Sequence, residues 1–207
     1  LSKGAVLFCF LMVAAFFYFL RVADPDLCWH MKAGEIIGRT YDVPRHDVYS
    51  FTALNGKWTD HEWGMNLILY YVYSLLGDSG LTVLKTLIGL GIAVIIYRLA
   101  RVPHRGIQLL VFLLVSQAVA CFALYRPQLV TYLFIAILLL ILSQRESISN
   151  KRTVVFIPVL FFLWANLHGG FLAGLALLAG YACVSWARGF WDLGFCAEHW
   201  RRAAHLT

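Results

Sequence analysis

Six largely apolar runs, residues 5–20, 81–97, 107–124, 129–142, 154–167 and 171–187, decide what this chain can fold into. In water those runs would have to be covered, and there is little to cover them with. Of 207 residues, 61% are hydrophobic and 14% charged, against roughly 45–50% and 25% in soluble domains. The runs lack the alternation of barrel strands, and a helix satisfies its own backbone N–H and C=O groups without water. The expected fold is therefore all-α and polytopic, with about six transmembrane helices. Several runs fall short of the ~20 residues that cross ~30 Å of hydrocarbon, so the spanning helices are expected to extend into flanking residues.

A seventh apolar stretch, residues 63–76, carries Asn66 and several aromatic side chains. It is too short to span and reads as a juxtamembrane helix. Leaving it uncrossed puts the loop 98–105 (Arg98, Arg101, Arg105), the loop 145–152 (Arg145, Lys151, Arg152) and the tail from Arg188 (with Arg201 and Arg202) on one side with Lys3. By the positive-inside rule that side is cytoplasmic. The long first loop, residues 21–80, is then extracytoplasmic, as are the turns at Arg126 and His168. Residues 1–187 form the expected transmembrane domain, and 188–207 a cytoplasmic basic tail or the start of a further segment. In a bacterium this is a multi-pass protein of the inner membrane. Lys3 and the run behind it look like a signal sequence, but no small-residue cleavage site follows, so a retained first span is expected. Leu1 in place of Met fits a trimmed or partial stretch. Trp29, Trp58, Trp63, Trp164, Trp186 and Trp191 lie near the expected span ends and read as interfacial anchors.

The net charge of +6 does not point to nucleic acid, because the basic residues are scattered between apolar runs and form no clustered face. The five cysteines, at 9, 28, 121, 183 and 196, show no C-x-x-C spacing and imply neither a disulfide framework nor a metal site.

Acidic residues are distributed very unevenly. Asp24, Asp26, Glu35, Asp42, Asp47, Asp60, Glu62 and Asp78 make 8 of the 11 in the chain, all within the first loop. A loop of that length is usually functional or disordered, and its tryptophans and Ile36–Ile37 give it enough to pack. Within it, residues 27–38 form a short helix capped by Asp26 and ended by Gly38. Residues 47–52 read as an extended piece before a turn at Asn55-Gly56, and Thr59 or Asp60 caps the helix that begins at 61–63. Each acid has an ordinary alternative as a cap or a solvated loop charge. Asp24 stands out because it ends the first span, Pro25 fixes the backbone after it, and Asp26 follows. There a carboxylate can act as general base for an incoming hydroxyl or amine, or as ligand to a divalent cation (Mg or Mn) on a phosphate. Arg126 can clamp a lipid phosphate, with a snorkelling side chain as the alternative. His168, beside Gly169-Gly170, is a second candidate. His61, between Asp60 and Glu62, makes no metal site, since three consecutive side chains cannot face one ion.

The segment Asp24-Pro25-Asp26-Leu27-Cys28-Trp29-His30 resembles the signature that opens the first outer loop of oligosaccharyltransferase catalytic subunits. With Val43-Pro44-Arg45-His46-Asp47, Trp58-Thr59-Asp60-His61-Glu62-Trp63, Tyr125-Arg126-Pro127-Gln128-Leu129 and Trp164-Ala165-Asn166-Leu167-His168-Gly169-Gly170-Phe171, the chain resembles bacterial integral-membrane glycosyltransferases of the C superfamily, from residue 1 to about Gly180. The resemblance implies inverting transfer of a sugar from a polyprenyl-phosphate carrier outside the cytoplasm, with Asp24 as catalytic base or metal ligand and Asp26 beside it. Arg126, His168 and His30 are then substrate-binding residues, as are Asp60 and Glu62, which have no counterpart in the family's motifs. Members of the superfamily usually carry about twice as many spans, which implies a fragment or a reduced relative. Their second acidic motif is replaced here by Arg126-Pro127-Gln128. The competing expectation is a non-catalytic transmembrane subunit of a larger complex, with lipids and other membrane subunits as partners. Pigment binding and transport fit less well, since only His168 lies near a span and Gln117 is almost alone as a polar residue within one.

Overall fold

The computed structural model describes residues 3–19, 24–52, 54–100, 103–121, 124–144 and 151–204. Its elements are α1 (Lys3–Phe19), α2 (Leu27–Thr40), α3 (Trp63–Leu99), α4 (Arg105–Cys121), α5 (Gln128–Leu142), α6 (Lys151–Leu167) and α7 (Phe171–Ala204). Each apolar run has become a helix, and the fold is all-helical. Among the described residues the only sheet-like pairing is an isolated antiparallel bridge between His46 and Lys57. Arg101 and Arg145, and the side chains of Lys3, Lys151, Arg152, Trp191, Arg201 and Arg202, lie outside the described residues.

Length separates the helices. Among the described residues two are long and apolar enough to cross a membrane, Trp63–Leu99 and Phe171–Gly189. The expectation of six full-length spans is not met by the others. α4 and α6 have 17 residues and α5 has 15, which at 1.5 Å per residue is roughly 22–26 Å against ~30 Å of hydrocarbon.

α3 is not one rod. Gly77, at φ 62° and ψ −154°, interrupts it in a region that side chains other than glycine's avoid. Beyond the break, Leu81 packs in the same buried cluster as Met65, Leu69 and Val130. A straight helix would hold residues 65 and 81 roughly 24 Å apart. A Cβ added at Gly80 would lie 3.0 Å from the Val72 carbonyl oxygen. The limbs 63–76 and 78–99 therefore fold back on each other. The second limb, roughly 33 Å long, is of spanning length, and the first, roughly 21 Å, is not.

The limb 78–99 organises the unit Leu1–Phe171, which is compact in itself. Val13 and Phe17 of α1 pack on Ile92 and Ala93 of α3, Leu109 and Phe112 of α4, and Leu129 of α5. Gly89 admits the Phe17 ring, which a Cβ would strike at 2.5–2.8 Å. On the other limb α2 lies against α3 so closely that a Cβ at Gly34 would overlap the Asn66 carbonyl. α2 runs past Gly38, its expected end, to Thr40, and stops at left-handed Tyr41 (φ 58°), whose N–H bonds the Ile37 carbonyl. Gly38 instead makes room for Tyr70 and Tyr71.

The expected extended piece over 47–52 is a side-chain-nucleated turn. The Asp47 carboxylate accepts the N–H groups of Tyr49 (2.8 Å) and Ser50 (3.0 Å) and the Ser50 hydroxyl. The turn at Asn55-Gly56 is present, with Asn55 at φ 66° and Asp47 N–H on the Gly56 carbonyl at 2.7 Å.

Leu172–Thr207 is a separate compact unit made of the rest of α7. That helix continues through Arg188 to Ala204.

Candidate functional site

Four places in the chain deliver polar side chains to one end of the first unit: the turn into α2, the start of α3, the start of α5 and the end of α6. They are the places where the sequence sets Asp24-Asp26, Asp60-Glu62, Arg126 and His168, and the fold brings all of these together with His30.

Arg126 sits just before Pro127, with its carbonyl accepting the Leu129 N–H at the start of α5. Its Nε donates to both Asp24 oxygens, at 2.8 and 2.7 Å, and its Nη2 lies 2.8 Å from Asp26 Oδ2. The Asp24 carboxylate is wholly buried, whereas that of Asp26 is 44% exposed. Asp24 also accepts the Asp26 N–H at 3.0 Å. Asp26 occupies the cap position of α2, but its carboxylate makes no cap bond and serves the guanidinium. Hydrogen bonding to Asp24, more than any other influence, raises the Arg126 pKa, so the guanidinium is permanently charged.

Glu62 is the centre of the second group. His168 Nε2 lies 3.2 Å and His61 Nε2 3.5 Å from its Oε1, and His30 Nδ1 is 3.8 Å from its Oε2. Burial raises the Glu62 pKa, helped by Asp60 and Asp26 and opposed by His61 and Arg126. Burial lowers the pKa of His168 and of His30. The rings are thus neutral near pH 7, and the contact from His168 to Glu62 is a close polar approach between a neutral ring and a carboxyl group.

The tautomers follow from the partners. Gly170 N–H donates to His168 Nδ1 at 2.8 Å, so Nδ1 is the acceptor and Nε2 carries the proton toward Glu62. Thr131 Oγ1, which receives the Trp164 indole N–H at 2.8 Å, gives its own proton to the same Nδ1. On the other side Asn66, fully buried, donates through Nδ2 to Asp60 at 2.9 and 3.2 Å. Its Oδ1 therefore accepts from His30 Nδ1 at 2.7 Å. Asp60, expected as the cap of α3, stands before the cap residue Glu62 and accepts its N–H at 3.0 Å.

Asn66, Thr131, Trp164 and Asn166 were not among the expected site residues. Asn66 and Thr131 had one sequence signal, a hydrogen-bonding side chain inside an apolar run. Trp164 is buried, stacked on Phe161 and bonded to Thr131, so it is no interfacial anchor. Trp63 is tied down as well, its N–H on Asn166 Oδ1 at 3.0 Å. The metal expectation for Asp24 does not fit this arrangement, because its oxygens already receive Arg126 and a backbone N–H. Among the described residues no group of three or more His, Cys, Asp or Glu is arranged to hold a metal ion.

No family model, curated protein or solved structure matches the chain.

Proposed function

We propose that this chain is a polytopic inner-membrane glycosyltransferase of the C-superfamily type, moving a sugar from a polyprenyl-phosphate carrier to an acceptor on the extracytoplasmic face. The observation that carries the reading is Glu62, a half-buried carboxylate of raised pKa with His168 Nε2 at 3.2 Å and the Arg126 guanidinium close enough to act on its charge. A carboxylate tuned upward is suited to accept a proton near neutral pH. In the proposed step the acceptor hydroxyl gives its proton to Glu62 as its oxygen bonds to the anomeric carbon. The bond from that carbon to the phosphate oxygen breaks, and polyprenyl phosphate leaves with the electron pair. Arg126 takes up the developing charge by exchanging the exposed Asp26 for the phosphate, while buried Asp24 holds the guanidinium in place. This moves the base from the expected Asp24 or Asp26 to Glu62 and makes Asp24 a positioning residue.

A groove of about 390 Å³ between α4 and α5, lined by Leu114, Val115, Ala118, Val119 and Tyr132, supports a lipid-linked donor. It runs from the end of α4 and the start of α5 that flank Arg126, and its wall is apolar enough for an isoprenoid chain. Six crossings remain the proposed topology: α1, the limb 78–99, α4, α5, α6 and α7, with local bilayer thinning taking up the short helices. His30 and Asp60, both buried, brace this site through Asn66.

The test is transfer of labelled sugar from a polyprenyl-phosphate donor by the chain in proteoliposomes. Glu62→Gln should lower the rate about 10²–10⁴-fold with no loss of melting temperature. Undiminished transfer in that variant removes Glu62 as base. The saturation of Arg126 by two carboxylates favours one other reading, a non-catalytic subunit that keeps the ion pair as a strut. Wild-type chain with no transfer from any such donor, copurifying with membrane partners, would select it.

A further inference from the structure

The loop between α2 and α3 holds a cavity of about 480 Å³ whose walls include Arg45, His46, Lys57, Trp58 and Asp60. That volume is within the ordinary range for small-ligand sites. Its frame is fixed by backbone bonds. His46 bridges Lys57, the Trp58 N–H bonds the Arg45 carbonyl at 2.9 Å, and the Asp47 turn braces the end. Trp58 is wedged edge-on against Tyr49 (5.6 Å between centroids) and Trp29 (6.2 Å).

The charges of this cavity are unbalanced. Among the described residues Arg45 and Lys57 form no ion pair, whereas Lys32 and Arg39 share Glu35, and Arg126 has two acids. The single carboxylate in the wall, Asp60, already binds the Glu62 N–H and Asn66. The Trp58 indole N–H is buried with no acceptor among the described residues. Two exposed cations and an imidazole therefore line a space whose one acid, Asp60, is engaged by the Glu62 N–H and the Asn66 amide.

We infer that this cavity binds a water-borne sugar phosphate. Arg45 and Lys57 take the phosphate by charge-assisted hydrogen bonds, and the Trp58 wall takes the sugar. The ligand comes from water because every lining residue belongs to the segment 43–60 and none to a membrane-length helix. The inference stands on the loop alone and does not depend on the transfer reading.

The experiment is calorimetric titration of the full chain, in phosphatidylcholine nanodiscs, with glucose 1-phosphate, glucose and inorganic phosphate. Glucose 1-phosphate should bind at least tenfold more tightly than either of the others. The exposed pair Arg45→Gln/Lys57→Gln should lose that binding at least tenfold with an unchanged melting temperature, and Glu62→Gln should keep it. Absent binding, equal binding of glucose or of phosphate alone, or full binding by the double variant would each overturn the assignment. Nanodiscs containing phosphatidylglycerol separate the sources. Retained affinity supports a water-borne ligand, and its abolition would show a lipid headgroup in the cavity and overturn the proposal.

Discussion

Arg126 and Asp24 stand 102 residues apart in the chain, and Arg126 Nε lies 2.7 Å from Asp24 Oδ2. The contact joins the end of the first apolar run to the turn between the third and fourth helical hydrophobic segments. It also changes what each residue can do. A buried carboxylate shared by a guanidinium and a backbone N–H has little capacity left as a base, and a guanidinium held by Nε keeps one arm for exchange.

Asp24→Asn should therefore be a stability mutation before it is an activity mutation. The guanidinium left behind is 31% exposed and keeps Asp26, so losing its buried partner costs roughly 1–3 kcal/mol. Asp26→Asn, at the exposed arm, should cost under about 1 kcal/mol. Thermal unfolding in detergent separates them. Equal losses in the two variants would mean that the burial difference between the carboxylates does not set the energetics.

The buried histidines predict a pH dependence. His30 and His168 have pKa values lowered from 6.5, so the folded chain binds fewer protons there than the unfolded one, and stability falls as pH drops below about 6.5. The slope is at most about 1.4 kcal/mol per pH unit for each ring. Glu62 works in the opposite sense. Its pKa is raised from 4.5, so raising the pH from there through its folded value costs stability. Melting temperatures at pH 5.5 and 7.5 should show a smaller acid-side loss for His168→Asn than for wild type, and a gain at pH 7.5 for Glu62→Gln. Parallel curves for all three proteins would count against both shifts.

The helices were legible because a long apolar run leaves few other solutions, and the separateness of 63–76 from 81–97 was legible from length alone. The reversal between them was not, since it turns on the backbone angles of one residue, Gly77. Among the site residues, sequence position placed Asp24, Glu62, Arg126 and His168 at run ends, which sufficed to put them on one face. Who binds whom was not legible. Asp24 with Arg126, and Asn66 between His30 and Asp60, are decided by helix packing, and helix packing here depends on small residues such as Gly34 whose contacts lie tens of residues away.

That packing can be tested at glycines of unlike surroundings. A Cβ at Gly34 would overlap backbone, the Asn66 carbonyl, which cannot swing aside. Gly34→Ala should part α2 from α3 and cost roughly 1–3 kcal/mol, with loss of the His30–Asn66 contact. At Gly38 the neighbours are the Tyr71 hydroxyl and the Tyr70 ring at 3.2 and 3.3 Å, mobile ends that can give way, so alanine there should cost under about 1 kcal/mol. Gly77→Ala has open space but a positive φ, and strain alone should cost about 1–3 kcal/mol. Gly38→Ala proving the worst of the three would refute this account.

Membrane topology yields the last prediction, because side-chain pairs constrain how many times the chain can cross. Asp24 touches Arg126, so the number of crossings between residues 24 and 126 is even. If the limb 78–99 crosses, α4 must cross back, although its 17 residues fall below the usual span length. Glu62 touches His168 by the same logic, so α5 and α6 either both cross or both stay. Their apolar surfaces favour crossing: Leu139, Val154, Val155, Phe162 and Leu163 are exposed on the first unit, where lipid can cover them and water cannot. In a background with all five native cysteines replaced by serine, an impermeant maleimide added to intact cells should label Thr52→Cys and Gln128→Cys. It should reach His104→Cys and Ser143→Cys only after permeabilisation. Labelling of Gln128→Cys from the side opposite Thr52→Cys is incompatible with the ion pair between Arg126 and Asp24, and labelling of all four from outside would leave the limb 78–99 and α4 to α6 without a crossing.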